Sequence, residues 1–198
     1  MRAKTEETMK RKSISVTIAL YAVFTALFAA FLFLPYVFML PLIIMVIFMD
    51  FKASVYISVA FGIISISYAF IVSGFVALAF RAYPLIAIIP RLFVGPAAYG
   101  VKILLKKLTG NSKNFFLREV LPHSITAAVA ILTNTILVVG SFAVFALNFK
   151  DNSGITMPLA MTEMLIAGAI ELAIAIVVTP GIVLALKKAD RNHFLSQK

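Results

Sequence analysis

Apolar residues in this chain occur in long runs, interrupted only by short polar or proline-containing breaks. A helix needs about 20 mostly apolar residues to cross the hydrocarbon core of a bilayer. Runs of that length predict six membrane-spanning helices, because the first run is long enough to cross twice around Pro35 and Pro41. The runs cover residues 14–49, 55–72, 83–105, 120–147 and 158–186.

The same pattern divides the chain into three parts. A basic segment at residues 1–12 precedes a membrane domain at 13–188, and a polar tail follows at 189–198. The first apolar run is longer than that of a signal peptide and has no convincing small-residue cleavage site, so we expect it to be the first helix. The predicted fold is an all-α integral membrane protein.

The composition agrees with this fold class and excludes every kind of site that depends on cysteine. Of the 198 residues, 62% are apolar and 13% are charged, whereas a soluble domain carries about 25% charged residues. Cysteine is absent, which excludes disulfides, thiolate nucleophiles and cysteine metal sites.

The positive charges predict the orientation of the helices. If both termini lie in the cytoplasm, all but three of the 18 lysines and arginines fall in cytoplasmic segments, and only Arg81, Arg91 and Lys150 remain for the outer half. This bias is the usual sign of cytoplasmic loops, and it favours an even number of crossings. The net charge of +10 is then explained by topology and by attraction to an anionic inner leaflet, so we expect no nucleic-acid partner.

Motifs for catalysis are missing from the sequence. There is no GxxxxGK[ST] phosphate loop and no HExxH motif, so ATP hydrolysis by the phosphate-loop route is not expected. His123 and His193 lie far apart, and Ser73 has no intramembrane histidine to serve as its base. The acidic residues form no metal-ligand cluster. We therefore predict a protein that is not an enzyme and that carries no cofactor and no metal.

Four polar residues lie inside the apolar runs, where charge is costly and usually faces a cavity or a partner. Arg91 and Glu163 are expected roughly 10 and 8 Å below the outer ends of their helices, so that they can pair. Asn134 and Glu171 are expected roughly 20 Å deep, at a second level. The predicted substrate-binding residues are Arg91, Asn134, Glu163, Glu171, Tyr68 and Tyr83. Glu163 and Glu171 are eight residues apart and are expected on broadly the same side of the last helix.

Two interpretations of this polar layer remain open. Arg91 and Glu163 form either a structural ion pair or part of a substrate pocket in the outer half of the bundle, in which a few polar groups stand among apolar walls. Pro90 and Pro96 flank Arg91 and free backbone carbonyls nearby. Tyrosines would supply walls and hydrogen bonds, although each alone is also typical of a membrane-interface anchor. They are Tyr68, Tyr83 and Tyr99.

Small residues repeat at four-residue spacing on the first helix, at Ala22, Ala26 and Ala30. Such a stripe lets another helix approach closely. It predicts either packing inside this protein or docking on a partner, and the sequence favours neither.

The order of these features along the whole chain resembles the substrate-binding S components of the energy-coupling factor (ECF) vitamin transporters. The similar features are the length, six helices, the basic start, the alanine stripe and three segments. The segments are IPRLFVGPAAYGVKILLKK at 89–107, LTNTILVVG at 132–140, and the last helix from Glu171 through VVTPGIVLALKK to Lys188.

The resemblance implies a function that composition does not show. Such a subunit captures a vitamin from outside and associates with a membrane coupling protein and two cytosolic ATPases, which hydrolyse the ATP. The stripe at Ala22, Ala26 and Ala30 would be its docking face, and the subunit would topple in the membrane to release its cargo. The segment from Pro35 to Pro41 is shorter and more apolar than the first loop of many family members, which puts its role as a lid in doubt.

Arg91 suits a carboxylate, and the chain has no tryptophan for stacking a large flat ring. These features favour a small acid, and the general similarity is greatest to the pantothenate-type branch. Hydroxymethylpyrimidine, riboflavin, folate and cobalamin are the alternative substrates.

A stand-alone channel or secondary transporter is an alternative function, but it needs a continuous polar path, and residues 172–178 in the last helix are all apolar. A membrane assembly protein without a ligand is another.

Overall fold

The computed structural model describes residues 2–34, 36–147, 149 and 155–189, and the side chains from residue 14 onward. Pro35, Lys150, His193 and the remainder of the predicted tail after residue 189 lie outside these ranges. Within them the chain forms α-helices and one π-helical turn, Phe116–Val120, and no strand. The helices are α1 Arg2–Phe31, α2 Leu40–Phe48, α3 Phe51–Ile71, α4 Phe75–Ala82, α5 Pro84–Leu92, α6 Val94–Thr109, α7 Leu121–Phe145 and α8 Met157–Ala189.

Five helical stretches in the described part of the chain are long and apolar enough to cross a bilayer. They confirm the prediction of an all-α membrane protein. Four of them correspond to predicted single crossings, and the fifth is the first half of the run at 14–49. The stretches are Ile14–Phe31, Phe51–Ile71, Pro84–Thr109, Phe116–Phe145 and Met157–Ala189.

The second predicted crossing is not a full-length helix. Its helical part, α2, has nine residues and is therefore roughly 14 Å long, about half the thickness of the hydrocarbon core. Pro41 lies in the first turn of α2, where proline is favoured. Only two residues separate the end of α2 from the start of α3. The second of them, Asp50, caps α3, since its side chain accepts a hydrogen bond from the Ala53 N–H at 2.9 Å.

The segment that contains α2 nevertheless returns the chain across the bundle. Three aromatic pairs join α1 and its C-terminal extension to α3 with a nearly constant offset in sequence, so the two helices run parallel. The pairs are Tyr21–Tyr56, Phe28–Phe61 and Phe33–Tyr68, with ring centroids 4.6, 4.9 and 5.5 Å apart. Because two parallel neighbours require a return between them, the chain from residue 36 to residue 50 runs in the opposite direction.

The predicted fourth helix is two helices, α5 and α6, which meet at Phe93 and run antiparallel to α3. The backbone N–H of Gly95 donates to Ser58 Oγ at 2.8 Å. Gly62, four residues after Ser58, lies against Ile88, which is seven residues before Gly95. The break between α5 and α6 follows from the prolines on either side of it, since proline removes a backbone donor and obstructs the preceding turn.

The last two long helices also run antiparallel. Thr135 on α7 packs against Gly168 on α8, and the Ser124 hydroxyl donates to the Ile176 carbonyl at 2.9 Å. The start of α1 and the end of α8 therefore lie at the same end of the bundle, here called the inner end. The opposite end, where α3 and α7 finish and α8 begins, is called the outer end.

The nine residues of α2 form the centre of the bundle. All of them are buried, and α2 contacts α1, α3, α6, α7 and α8. An all-round apolar helix belongs in such a position, because a helix without a polar face gains nothing from exposure to water. The long helices therefore surround α2 and present their outer apolar faces to lipid.

Candidate functional site

A cavity of about 400 Å³ lies in the outer half of the bundle. Its volume falls within the range of about 300–1,000 Å³ that is usual for small-molecule sites. One wall comes from the connection between α1 and α2, and the others come from α3, α4, α5 and α8. Its lining includes Leu32, Phe38, Phe61, Ser65, Tyr68, Phe80, Arg91 and Glu163.

Arg91 is the buried charge of this cavity, with only 7% of its surface exposed. Its guanidinium carbon lies 5.1 Å from the centre of the Phe61 ring and 4.9 Å from the centre of the Phe80 ring. Contacts of this kind between a cation and aromatic faces are attractive and grow stronger without water. The two phenylalanines therefore hold the guanidinium in a fixed orientation.

The proline next to Arg91 explains where one arm of the guanidinium points. Pro90 has no N–H, so the Ile86 carbonyl loses its usual donor four residues on. Arg91 Nη1 donates to the Ala87 carbonyl at 2.7 Å and lies 3.5 Å from the Ile86 carbonyl. This nitrogen therefore lies near the Ile86 carbonyl, which Pro90 leaves without its helical donor, and also bonds to the neighbouring Ala87 carbonyl.

The Arg91 Nε atom is different, because it is buried and has no hydrogen-bond partner. A buried donor of a charged group that lacks a partner is costly, by about 1–3 kcal/mol or more. A carboxylate or carbonyl oxygen in the cavity is the group that would remove this cost. Arg91 thus lines the cavity and has one donor, Nε, that no group of the protein accepts from.

Glu163 lines the same cavity but does not pair with Arg91. Among the described residues, the ion pairs within 4.0 Å join Glu119 to Arg118 and to Lys187. The sequence-based alternative of a structural Arg91–Glu163 pair is therefore not realised. Glu163 is exposed, so the cavity offers a negative group as well as the guanidinium.

The rest of the polar lining comes from α3 and the turn that follows it. The half-buried Tyr68 and the buried Ser65 face the cavity. At the rim Gly74 has a φ of 146°, a conformation that only glycine adopts readily, and it turns the chain into α4. Arg81 stabilises the end of α3, since its Nε donates to the Ala69 carbonyl at 2.6 Å.

Asn134 and Glu171 were predicted as substrate-binding residues, but they are not among the residues that line the cavity. They are 8% and 5% exposed, and Asn134 Oδ1 and Glu171 Oε1 are buried without a partner. The contact of Thr135 with Gly168 places both residues at similar depth, as predicted. The Glu171 carboxyl group lies near the backbone N–H of Met39, so it faces the start of α2.

The tyrosines are divided among three places. Tyr68 lines the cavity, whereas Tyr83 lines a separate apolar groove of about 330 Å³ between α5 and α7. Tyr99 lies towards the inner end, where its ring packs 5.6 Å from that of Phe51 and under the Lys102 ammonium at 4.8 Å. Only one of the two tyrosines predicted as site residues is therefore brought to Arg91.

The alanine stripe faces outward. Ala22, Ala26 and Ala30 are all exposed, and the residues of α1 that point inward are Phe24 and Phe28, which are 6% and 0% exposed. Internal packing of the stripe, one of its two predicted uses, is therefore not seen. The face remains open to lipid or to another helix.

Two groups of residues, one at the inner end and one around Arg91, make contacts that the sequence did not reveal. At the inner end Lys187 Nζ lies 2.8 Å from Glu119 Oε2 and 3.1 Å from His123 Nε2, which joins α7 to α8. His123 is thus part of the contact between α7 and α8. Phe61 and Phe80 were also missed, because a phenylalanine within an apolar run gives no signal that distinguishes it from a lipid-facing one.

Comparison with known proteins yields no match, either to a protein-family model or to a curated protein.

Proposed function

We propose that the protein is the substrate-binding subunit of an ATP-driven vitamin uptake transporter of the ECF class. It captures a small vitamin at the outer end of the bundle and delivers it together with a membrane coupling protein and two cytosolic ATPases. The observation that carries this proposal is the cavity of about 400 Å³ lined by the buried Arg91, whose Nε has no hydrogen-bond partner within the protein.

The chemistry of the cavity favours a small carboxylic acid. Arg91 offers a planar donor suited to a carboxylate, and the aromatic rings around it exclude water and strengthen that contact. Glu163 and the hydroxyls of Ser65 and Tyr68 suit a ligand with hydroxyl or amide donors elsewhere. Pantothenate has these groups and is the first compound to test, ahead of hydroxymethylpyrimidine, riboflavin, folate and cobalamin.

A blind cavity supports a binding subunit over a stand-alone channel or secondary transporter. From the cavity wall at Phe38 the chain continues inward as α2, whose nine residues are apolar and buried. The inner half of α8 at 172–178 is apolar as well. A pore would need polar groups to replace the hydration of its substrate, and the described residues in this region offer few.

A thermal-unfolding screen of the purified protein in detergent tests the proposal. We expect one vitamin or vitamin precursor with a carboxylate to raise the midpoint of unfolding by several degrees, since a ligand at 100 times its Kd adds about 2.7 kcal/mol of stability. Lack of a shift with every compound at millimolar concentration would contradict the proposal. Uptake of pantothenate into liposomes that contain this chain alone would instead establish the stand-alone transporter.

The exposed alanine stripe supports docking on the coupling protein. We expect Ala26→Trp to reduce recovery of the assembled complex by about tenfold, because a bulky ring prevents close helix approach, and to leave ligand binding unchanged. Recovery is measured by co-purification with the coupling protein and the ATPases. Ile136→Trp is the matched control, since Ile136 on α7 is also exposed (61%). Equal recovery of both variants would show that the stripe contacts only lipid.

A further inference from the structure

The central helix α2 has no charged residue of its own, yet each of its ends is contacted by a charge from another helix. At its C-terminal end Lys102 of α6 donates from Nζ to the Val46 carbonyl at 2.9 Å and to the Met49 carbonyl at 2.7 Å. The last carbonyls of a helix have no partners within the helix. A cation is the favoured group at that end, because the helix dipole is negative there.

The N-terminal end of α2 has the opposite arrangement. Met39 precedes the helix and provides no side-chain cap, while the Glu171 carboxyl group from α8 lies near its backbone N–H. An anion is the favoured group at this end of a helix dipole. The signs of both charges therefore match the dipole of the one helix that lies between them.

The wall of the cavity is continuous with this clamped helix. Phe38 comes immediately before Met39, lines the cavity, and packs with its ring centre 6.1 Å from that of Phe61. Phe61 is one of the two rings that hold Arg91. Tyr36, two residues before Phe38, has a φ of 65°, a strained conformation for a bulky residue that persists only when its surroundings enforce it.

We infer that Lys102 and Glu171 are positioning residues which fix α2 from both ends, and thereby fix the cavity wall at Leu32 and Phe38 on which ligand binding depends. The role assigned to Glu171 thus differs from direct contact with substrate. The part of this inference that concerns ligand binding rests on the proposed function. The position of the wall can be tested without any ligand.

Thiol accessibility measures that position directly, because the chain contains no cysteine. Phe38→Cys places a thiol on the wall that α2 carries, and Ser65→Cys places one on the α3 wall. Each is combined with Lys102→Met, and the rate of modification by a charged, water-soluble maleimide is measured in detergent. We expect Lys102→Met to raise the rate at position 38 by about fivefold or more and the rate at position 65 by less than twofold.

Lys106→Met is the matched control, since Lys106 lies one turn further along α6 and is exposed. It should change neither rate. An unchanged rate at position 38, or an equal rise at both positions, would overturn the inference, because equal rises mean that the whole bundle has loosened.

Glu171→Gln serves as the second variant if Lys102→Met does not fold. Glutamine keeps an acceptor for the Met39 N–H but removes the charge, so we expect a smaller rise that is again confined to position 38. No rise would show that the charge of Glu171 does not position α2. Since the assay uses only the maleimide, failure here leaves the proposed function to be judged separately by the vitamin screen.

Discussion

Arg91→Lys is expected to lower the affinity of the cavity for pantothenate, or for the vitamin that gives the largest shift in the screen, by about 10- to 100-fold. Lysine keeps a positive charge that can still reach the Ala87 carbonyl, which accepts from Nη1 at 2.7 Å in the native chain. It has no equivalent of Nε, the buried donor without a partner. The variant therefore separates ligand recognition by Nε from the structural contact of the guanidinium with the Ala87 carbonyl. Calorimetric titration gives the Kd, and the midpoint of thermal unfolding without ligand reports the fold.

Arg81→Lys is the control for this experiment. Arg81 also donates to main-chain carbonyls, those of Ala69 and Val72, but it does not line the cavity. The affinity of the Arg81→Lys variant for the ligand should stay within about threefold of the native value, because this substitution loses only contacts to the backbone. Equal affinities of the two variants and the native protein would remove Arg91 from the binding site.

Gly95→Ala is expected to reduce the free energy of unfolding by about 1–3 kcal/mol. A methyl group at position 95 would collide with the Ser54 carbonyl and the Ser58 hydroxyl, so α3 and α6 would have to separate. The same separation would displace the α3 wall of the cavity and weaken ligand binding. Thermal or denaturant unfolding in detergent measures the first effect, and titration with the ligand measures the second.

The same helix offers the opposite case. Gly100 has no atom within 4 Å of an added methyl group, so Gly100→Ala should leave stability unchanged or raise it by up to about 1 kcal/mol through helix propensity. Identical behaviour of the two variants would mean that the close contact between α3 and α6 is not maintained in the protein.

Hydrophobic runs predicted the long helices well, because a span is defined by length and polarity alone. They did not predict that the second crossing contains only a nine-residue helix, since a turn followed by a short buried helix is as apolar as a full span. The proline pair at residues 35 and 41 marked the position of the break, but prolines do not reveal how much of the segment remains helical.

For the polar residues, depth within the bundle could be predicted from the sequence, but the direction in which each side chain points could not. Depth follows from counting residues, and it placed Arg91 and Glu163 at one cavity. Direction is less certain, because eight residues at about 100° each leave a rotation of about 80°. That rotation is enough to expose Glu163 and to bury Glu171 against α2. The Phe61 and Phe80 rings could not be predicted, since their role depends on contacts between helices.

The contacts of the buried charges have a consequence for how the chain enters the membrane. Arg91 meets Phe61 and Phe80, Lys102 meets Val46 and Met49, and Glu171 meets Met39. In every case the partner precedes the charge in sequence, and synthesis proceeds from the N-terminus. A charge left in lipid costs about 2.5–3.5 kcal/mol on the scale of insertion experiments. Each of these three charges emerges from the ribosome after its partner. The partner is therefore already synthesised when the charge enters the membrane.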